Sequence, residues 1–164
     1  FIEKNPKLKN LLNIEFYGGY YLPALKKFNY YLLNKVQNKK NFKYYGFKDS
    51  KLIYKDQKGI DTIFLFSSTC ENFSVSLIEG MSSGYPIMCV DQQPMKSVLG
   101  RGAIFYKHNS ISSFQNKLNK IIFSKKTQNK LSKIIYLRSK KFNDNEMAQK
   151  TFKFLIKISK KNEK

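Results

Sequence analysis

The chain has 164 residues, and its 31 basic and 11 acidic side chains give a formal charge of +20. Apolar residues make up 41% and aromatics 15%, enough for one domain with a buried core, which excludes wholesale disorder. No run approaches the roughly 20 apolar residues of a membrane-spanning helix, the residues after Phe1 lack the order of a signal peptide, and Cys70 and Cys89 are too few for a disulfide scaffold.

In chain order, short apolar runs alternate with helical stretches, the pattern of parallel α/β construction. Asn13 to Tyr17 reads as a strand closed by Gly18 and Gly19. Leu22 to Val36 follows with Leu25, Phe28, Leu32 and Val36 at helical spacing. Phe42 to Tyr45 is a second strand, stopped by Gly46, and Ser50 to Lys58 a short helix with Leu52 and Ile53 on its apolar side. Thr62 to Phe66 is apolar enough to suggest a strand covered on both faces. Ser74 to Gly84 reads as a helix with Ser74 as its cap, Gly84 as its stop and Pro86 beyond. Ile87 to Val90 is another buried strand, and Ala103 to Tyr106 follows a helical turn near Met95 to Leu99.

The remainder is helical. Ile111 to Phe123 sets Phe114, Leu118, Ile121 and Ile122 on one face, and Gln128 to Lys141 does the same with Leu131, Ile134 and Ile135. Asn145 to Ser159 carries Met147, Phe152, Phe154, Leu155, Ile156 and Ile158, a set so broad that this helix is expected to meet apolar surface on more than one side. The expected fold is α/β, a doubly wound parallel sheet with carboxyl-terminal helices, whose ligand sits beyond the strands' carboxyl ends.

The charge is unevenly placed. Ile60 to Met95 holds no Lys or Arg but contains Asp61, Glu71, Glu79 and Asp91, whereas Lys107 to Lys164 is densely basic. Lysines that neutralise phosphates bind nucleic acid without sequence preference, which makes a non-enzymatic basic module for nucleic acid or an anionic membrane the alternative reading. Against specific nucleic-acid recognition, only Arg101 and Arg138 are arginine, the residue that base edges and bidentate phosphate contacts favour. Abundant Asn, Ile, Phe, Tyr and Lys together also match what A/T-rich codons supply. Most of these lysines therefore read as solvated helix faces, with an anionic membrane surface as the weaker functional reading.

The chemistry concentrates between Glu71 and Glu79, separated by seven residues. Glu71 falls in the loop after a buried strand, and Glu79 in the second turn of the next helix. The residues between form that helix's amino-terminal turn, whose N–H groups and dipole suit a phosphate. Carboxylates repel a diphosphate, so the two glutamates are suited to accept hydrogen bonds from sugar or ribose hydroxyls. Taken alone, the pair reads as an acidic cap and an exposed helix residue, because such spacing is common by chance.

The flanking residues add a resemblance. Phe66-Ser67-Ser68-Thr69-Cys70-Glu71, followed by Ser76-Leu77-Ile78-Glu79-Gly80-Met81-Ser82-Ser83-Gly84-Tyr85-Pro86-Ile87, resembles the carboxyl-terminal half of the retaining nucleotide-sugar glycosyltransferases of family 4, which have the GT-B fold. Pro94 to Tyr106 is similar to that family's next segment, and a looser likeness runs from Asn13 to Ser159.

The resemblance implies a role for each matched residue. Glu71 would face the donor sugar as the catalytic carboxylate, and Glu79 would hold the ribose. The loop residue Phe73 and the backbone of Ser74, Val75 and Ser76 would cradle the diphosphate. Gly46 and Phe47 would lie beside the nucleobase, and Gly18 and Gly19 in a glycine-rich turn near the same cleft. The substrate would be a nucleotide-diphosphate sugar, with transfer to a glycan or lipid-linked acceptor and no metal or other cofactor. The expected location is cytoplasmic, with peripheral contact at the inner face of the membrane.

The chain also departs from the family. By the resemblance, it is expected to begin after the strand that bears the family's phosphate-clamping Arg and Lys and to lack the amino-terminal Rossmann-like acceptor domain. Asp91-Gln92-Gln93 and Ser97 replace the family's usual residues. The expectation is that residues 1–164 form a single carboxyl-terminal domain, inactive alone and part of a working enzyme in the full-length protein.

Other chemistries have little support. His108 is the sole histidine, no Asp-x-Asp or GxxxxGK[ST] occurs, and Cys70 and Cys89 are expected to pack in or near the core. Tyr17, Tyr20, Tyr21, Tyr30 and Tyr31 are likewise read as packing residues.

Overall fold

The computed structural model describes residues 5–18, 30–31, 34, 39–56 and 61–162. The chain divides into two compact units, Phe1–Lys58 and Gly59–Lys164.

In the first unit, Asn5 caps helix α1 (Pro6–Leu11), its side chain accepting from the Leu8 amide, and Pro6 sits where its missing N–H costs nothing. Strands β1 (Ile14–Tyr17) and β2 (Phe42–Gly46) pair in parallel, Ile14 opposite Phe42, with a register shift that sets Tyr17 opposite Gly46. Asn41 Nδ2 donates to the Lys9 and Leu12 carbonyls at 2.6 Å each, tying the start of β2 to the end of α1. Helix α2 (Ser50–Asp56) follows. Of the expected helix over 22–36, Tyr30, Tyr31 and Asn34 are described and are helical. Both tyrosines are exposed, while Tyr17 stacks on Tyr45 at 5.1 Å. Gly19, Tyr20 and Tyr21 lie outside the described residues.

The second unit contains β3 (Phe64–Phe66), β4 (Ile87–Val90) and β5 (Ala103–Tyr106), parallel and in that order. Between and after them come α3 (Val75–Ser82), α4 (Met95–Leu99), a 3-10 turn (Gly100–Gly102), α5 (Ile111–Ile122), α6 (Lys125–Ser139) and α7 (Asp144–Asn162). Among the described residues the pairing thus falls into two parallel sheets with flanking helices, the Rossmann-like α/β arrangement expected.

Central strand β4 organises the core. All four of its residues are buried, as a parallel strand with helices on both faces requires. Ile87 and Cys89 meet Leu77 and Met81 of α3, Met95 and Leu99 of α4, and Ile135 of α6. Met88, pointing to the opposite face, meets Ile121 of α5 and Leu131 of α6. Serines cap three of the helices: Ser74, Ser110 and Ser124 each accept a hydrogen bond from the amide three residues on.

Three expectations are corrected. First, β3 is shorter than the apolar run, and Leu65 is 43% exposed. Phe64 and Phe66 face the α3 side and Ile63 meets the second cluster, but Leu65 extends beyond that cover. Second, Cys70 is exposed because it sits in the loop after β3 rather than in the strand. Third, α7 is exposed from Asp144 to Lys160 instead of meeting apolar surface on several sides. The start of α6 at Lys125, ahead of Gln128, follows from the Ser124 cap, since the first turn of a helix needs no apolar stripe.

The two cysteines differ in reactivity. Burial pushes the Cys89 thiol from its ordinary 9.0 up to about 12, and the Asp91 carboxylate acts in the same direction. At pH 8 a thiol-titrating dye is expected to find only Cys70 in the native protein and both thiols in denaturant; rapid labelling of Cys89 in the native protein would contradict its placement. A raised native pKa stabilises below the unfolded value. Cys89's contribution is therefore full below pH 9 and is lost as pH rises toward 12.

Candidate functional site

The loop that leaves β3 runs from Ser67 to Phe73 at the sheet's carboxyl edge, and Glu71 lies in it half-buried. Ser74 then opens α3 with extended backbone (φ −97°, ψ 111°), and its Oγ accepts from the Leu77 N–H at 3.3 Å. The first turn of α3 contains no acidic side chain, so no carboxylate within that turn neutralises the positive end of the helix dipole. Val75 and Ser76 in that turn are exposed. Phe73, immediately before the cap, is 51% exposed and meets Phe142 with ring centroids 6.3 Å apart.

Glu79 lies four residues after Val75 and three after Ser76, which puts the three on neighbouring positions of one face. Helical side chains lean toward the amino terminus, so a half-buried Glu79 covers the turn preceding it. The opposite face holds the helix in place through buried Leu77, Gly80 and Met81. Gly80 is required for this approach: a Cβ there would stand 2.5 Å from Cε1 of Phe64 on β3.

The next loop was not among the expected site residues, yet it leaves the same carboxyl edge. Gln92 Oε1 is buried with no hydrogen-bond partner among the described residues, an arrangement that an unaccounted partner usually explains. Its neighbours are engaged. Asp91 pairs with Lys96 at 2.8 Å, and Gln93 Oε1 accepts from Ser97 Oγ at 2.7 Å. The signal in the sequence was position alone, directly after the buried run Ile87–Val90.

The remaining expected residues belong to the first unit. Gly18 and Gly46 come together: the Gly18 N–H donates to the Gly46 carbonyl at 2.8 Å, and Tyr44 OH donates to the Gly18 carbonyl at 2.8 Å. Gly46 has φ +67°, a left-handed conformation that explains a glycine at the end of β2. Phe47 beside it is 74% exposed. The structure therefore groups Gly18 with Gly46 and Phe47 in one unit, and Glu71 with Phe73 to Glu79 in the other. Among the described residues no three His, Cys, Asp or Glu side chains are grouped as metal ligands would be.

Comparison with known proteins gives two findings. The model of the family described as glycosyl transferases group 1 matches residues 4–138. The structure of sucrose-phosphate synthase from Thermosynechococcus elongatus is similar, with a TM-score of 0.71 and 15% identity over 88% of this chain. At that identity the likeness is one of fold, and the chain spans 38% of that structure's length. No curated protein sequence gives a significant match.

Proposed function

Because the chain belongs to the glycosyl transferases group 1 family, we propose that the second unit binds the nucleotide-diphosphate sugar used for hexosyl transfer to a glycan or lipid-linked acceptor. The observation that carries this reading is the start of α3. A serine-capped helix tip without acidic residues in its first turn follows the Glu71 loop, and Glu79 stands one turn further on. Its amides and dipole suit the diphosphate. Glu79 accepts hydrogen bonds from the ribose hydroxyls, and Glu71 faces the donor sugar.

In this reaction the bond from the anomeric carbon to the β-phosphate oxygen breaks, and the departing nucleoside diphosphate takes the electron pair. The acceptor hydroxyl oxygen bonds to the same carbon and gives up its proton, with retention at that carbon. Positive charge develops on the sugar and negative charge on the leaving phosphate. The helix tip stabilises the second, and the Glu71 carboxylate lies on the sugar side. Ser74 to Ser76 act at the phosphates through their backbone. The working enzyme is cytoplasmic and includes an acceptor-binding domain beyond this chain, and the reading calls for no metal.

Calorimetric titration of the chain with uridine and guanosine diphosphates tests the assignment. Glu79→Ala is expected to weaken binding of the preferred diphosphate about tenfold, the loss of a charge-assisted hydrogen bond. Equal affinity of the two proteins, or no binding by either, would remove Glu79 from the site.

A further inference from the structure

The loop that carries Glu71 is lightly held. Among the described residues no hydrogen bond or ion pair reaches any of Ser67 to Phe73, and segments with so few ties open readily. One ring contact crosses to the loop from far along the chain. Phe73 meets Phe142 with centroids 6.3 Å apart and planes tilted by 50°, a separation at which aromatic rings attract. Phe142 itself is firmly placed. Its N–H donates to the Ser139 carbonyl at the end of α6, at 2.9 Å. The next residue, Asn143, caps α7, its Oδ1 accepting from the Asn145 amide at 2.9 Å and the Glu146 amide at 3.3 Å. The Phe142 ring also packs on the core cluster that contains Leu77 and Met81 of α3 and Ile135 of α6. Helix α6 brings so distant a residue there. Lys125 at its start pairs with Asp61, ahead of β3, and its 15 residues then span about 22 Å, so the turn after it meets the loop that leaves the other end of β3.

We propose that Phe142 is a positioning residue for the donor site: its ring fixes Phe73, and through Phe73 the backbone between Glu71 and the Ser74 cap. The direction of the dependence follows from the surroundings of the two rings. Phe142 is held by hydrogen bonds on both sides and by the core, whereas Phe73 is 51% exposed in a loop without hydrogen bonds. The turn therefore constrains the loop, and not the reverse. Only Asn72 and Phe73 separate Glu71 from Ser74, so fixing Phe73 leaves the Glu71 backbone little freedom relative to the tip of α3. Without the ring contact the loop samples other conformations, and a ligand that needs one of them binds more weakly by the fraction of time it is formed. The proposal rests on the sugar-nucleotide reading for what binds, but not for how the loop is held.

Two measurements keep the loop and the ligand apart. A nitroxide on the exposed thiol of Cys70 reports the loop's motion with no nucleotide present, and in Phe142→Ala its spectrum is expected to narrow, the sign of faster motion. In calorimetric titration the same variant is expected to bind the preferred one of uridine and guanosine diphosphate about tenfold more weakly than the native chain. Phe142 also touches the core, so Phe142→Leu, which keeps an apolar side chain there, is measured beside it and is expected to narrow the spectrum less and to weaken binding about threefold. A purely structural role predicts no dependence on Phe73. In a Phe73→Ala background, where the ring has lost its partner, Phe142→Ala is therefore expected to weaken binding by less than about twofold, although the urea midpoint still falls. An unchanged spectrum in both Phe142 variants would overturn the proposal, as would an equal loss of affinity with and without the Phe73 ring. Diphosphate binding that neither variant weakens would overturn it too. If the native chain binds no diphosphate while the spectrum narrows, the donor reading fails and the tie between turn and loop stands.

Discussion

Ile135→Ala is expected to destabilise the second unit by about 2–5 kcal/mol, the range for truncating a buried isoleucine, out of a total that for most domains is about 5–15 kcal/mol. Ile135 is fully buried in the cluster that joins α3, α4, α6 and β4. It also sets the fit of the turn before β5. A Cβ placed on Gly102 would stand 2.8 Å from Ile135 Cδ1 and 3.3 Å from its Cα. Gly102→Ala should therefore cost about 1–3 kcal/mol by overpacking.

The two positions are coupled, and the sign of the coupling can be stated. Ile135→Val removes Cδ1, the atom in closest conflict, but leaves the Cα conflict in place. In the Gly102→Ala background it should therefore cost less than in the native protein, or even recover stability. A double-mutant cycle from urea unfolding reads this directly. If Gly102→Ala proves neutral, the close approach of α6 to the turn is refuted.

Arg138→Ala is expected to lose about 2 kcal/mol. Its Nε donates to the Val98 carbonyl at 2.5 Å and its Nη2 to the Ser97 carbonyl at 2.6 Å. Those carbonyls lie at the end of α4, where the helix itself offers them no partner. Each charged hydrogen bond is worth about 1.5–3 kcal/mol when well buried, and partial exposure lowers the sum. Lysine has one nitrogen where two directions are needed, so Arg138→Lys should recover less than half of the loss. Full recovery in unfolding midpoints would mean that the charge, not the fork, matters. The guanidinium also lies against Gly100, where φ is +55° and a Cβ would stand 2.9 Å from Arg138 Cζ.

Much of this molecule could be read locally. Ile87–Val90 was legible as a buried strand because four apolar residues in a row have no solvent side to offer. Ser74, followed by an apolar helical pattern and then Gly84, marked α3 at both ends; Gly84 has φ +76°, which explains the stop. The Glu71 to Glu79 constellation was legible because its spacing is a matter of one loop and one helix. The structure retains that local order.

Other features depend on residues far apart in sequence. Arg138 reaches carbonyls 40 and 41 positions away, and Gly80 answers to a phenylalanine on another element, so no window of the chain contains either reason. Gln92 became notable only because its side-chain oxygen is buried without a partner. The broad apolar side of α7 was plain from the residues, but periodicity establishes that a face exists, not what covers it. The sequence by itself determined where the strands fall, the Ser74 cap and the order of the chemical groups, because these follow from neighbours within a turn or a strand. Only the tertiary structure decided which faces are covered, which carbonyls are capped from afar and which glycines are indispensable, because these depend on distances that folding creates.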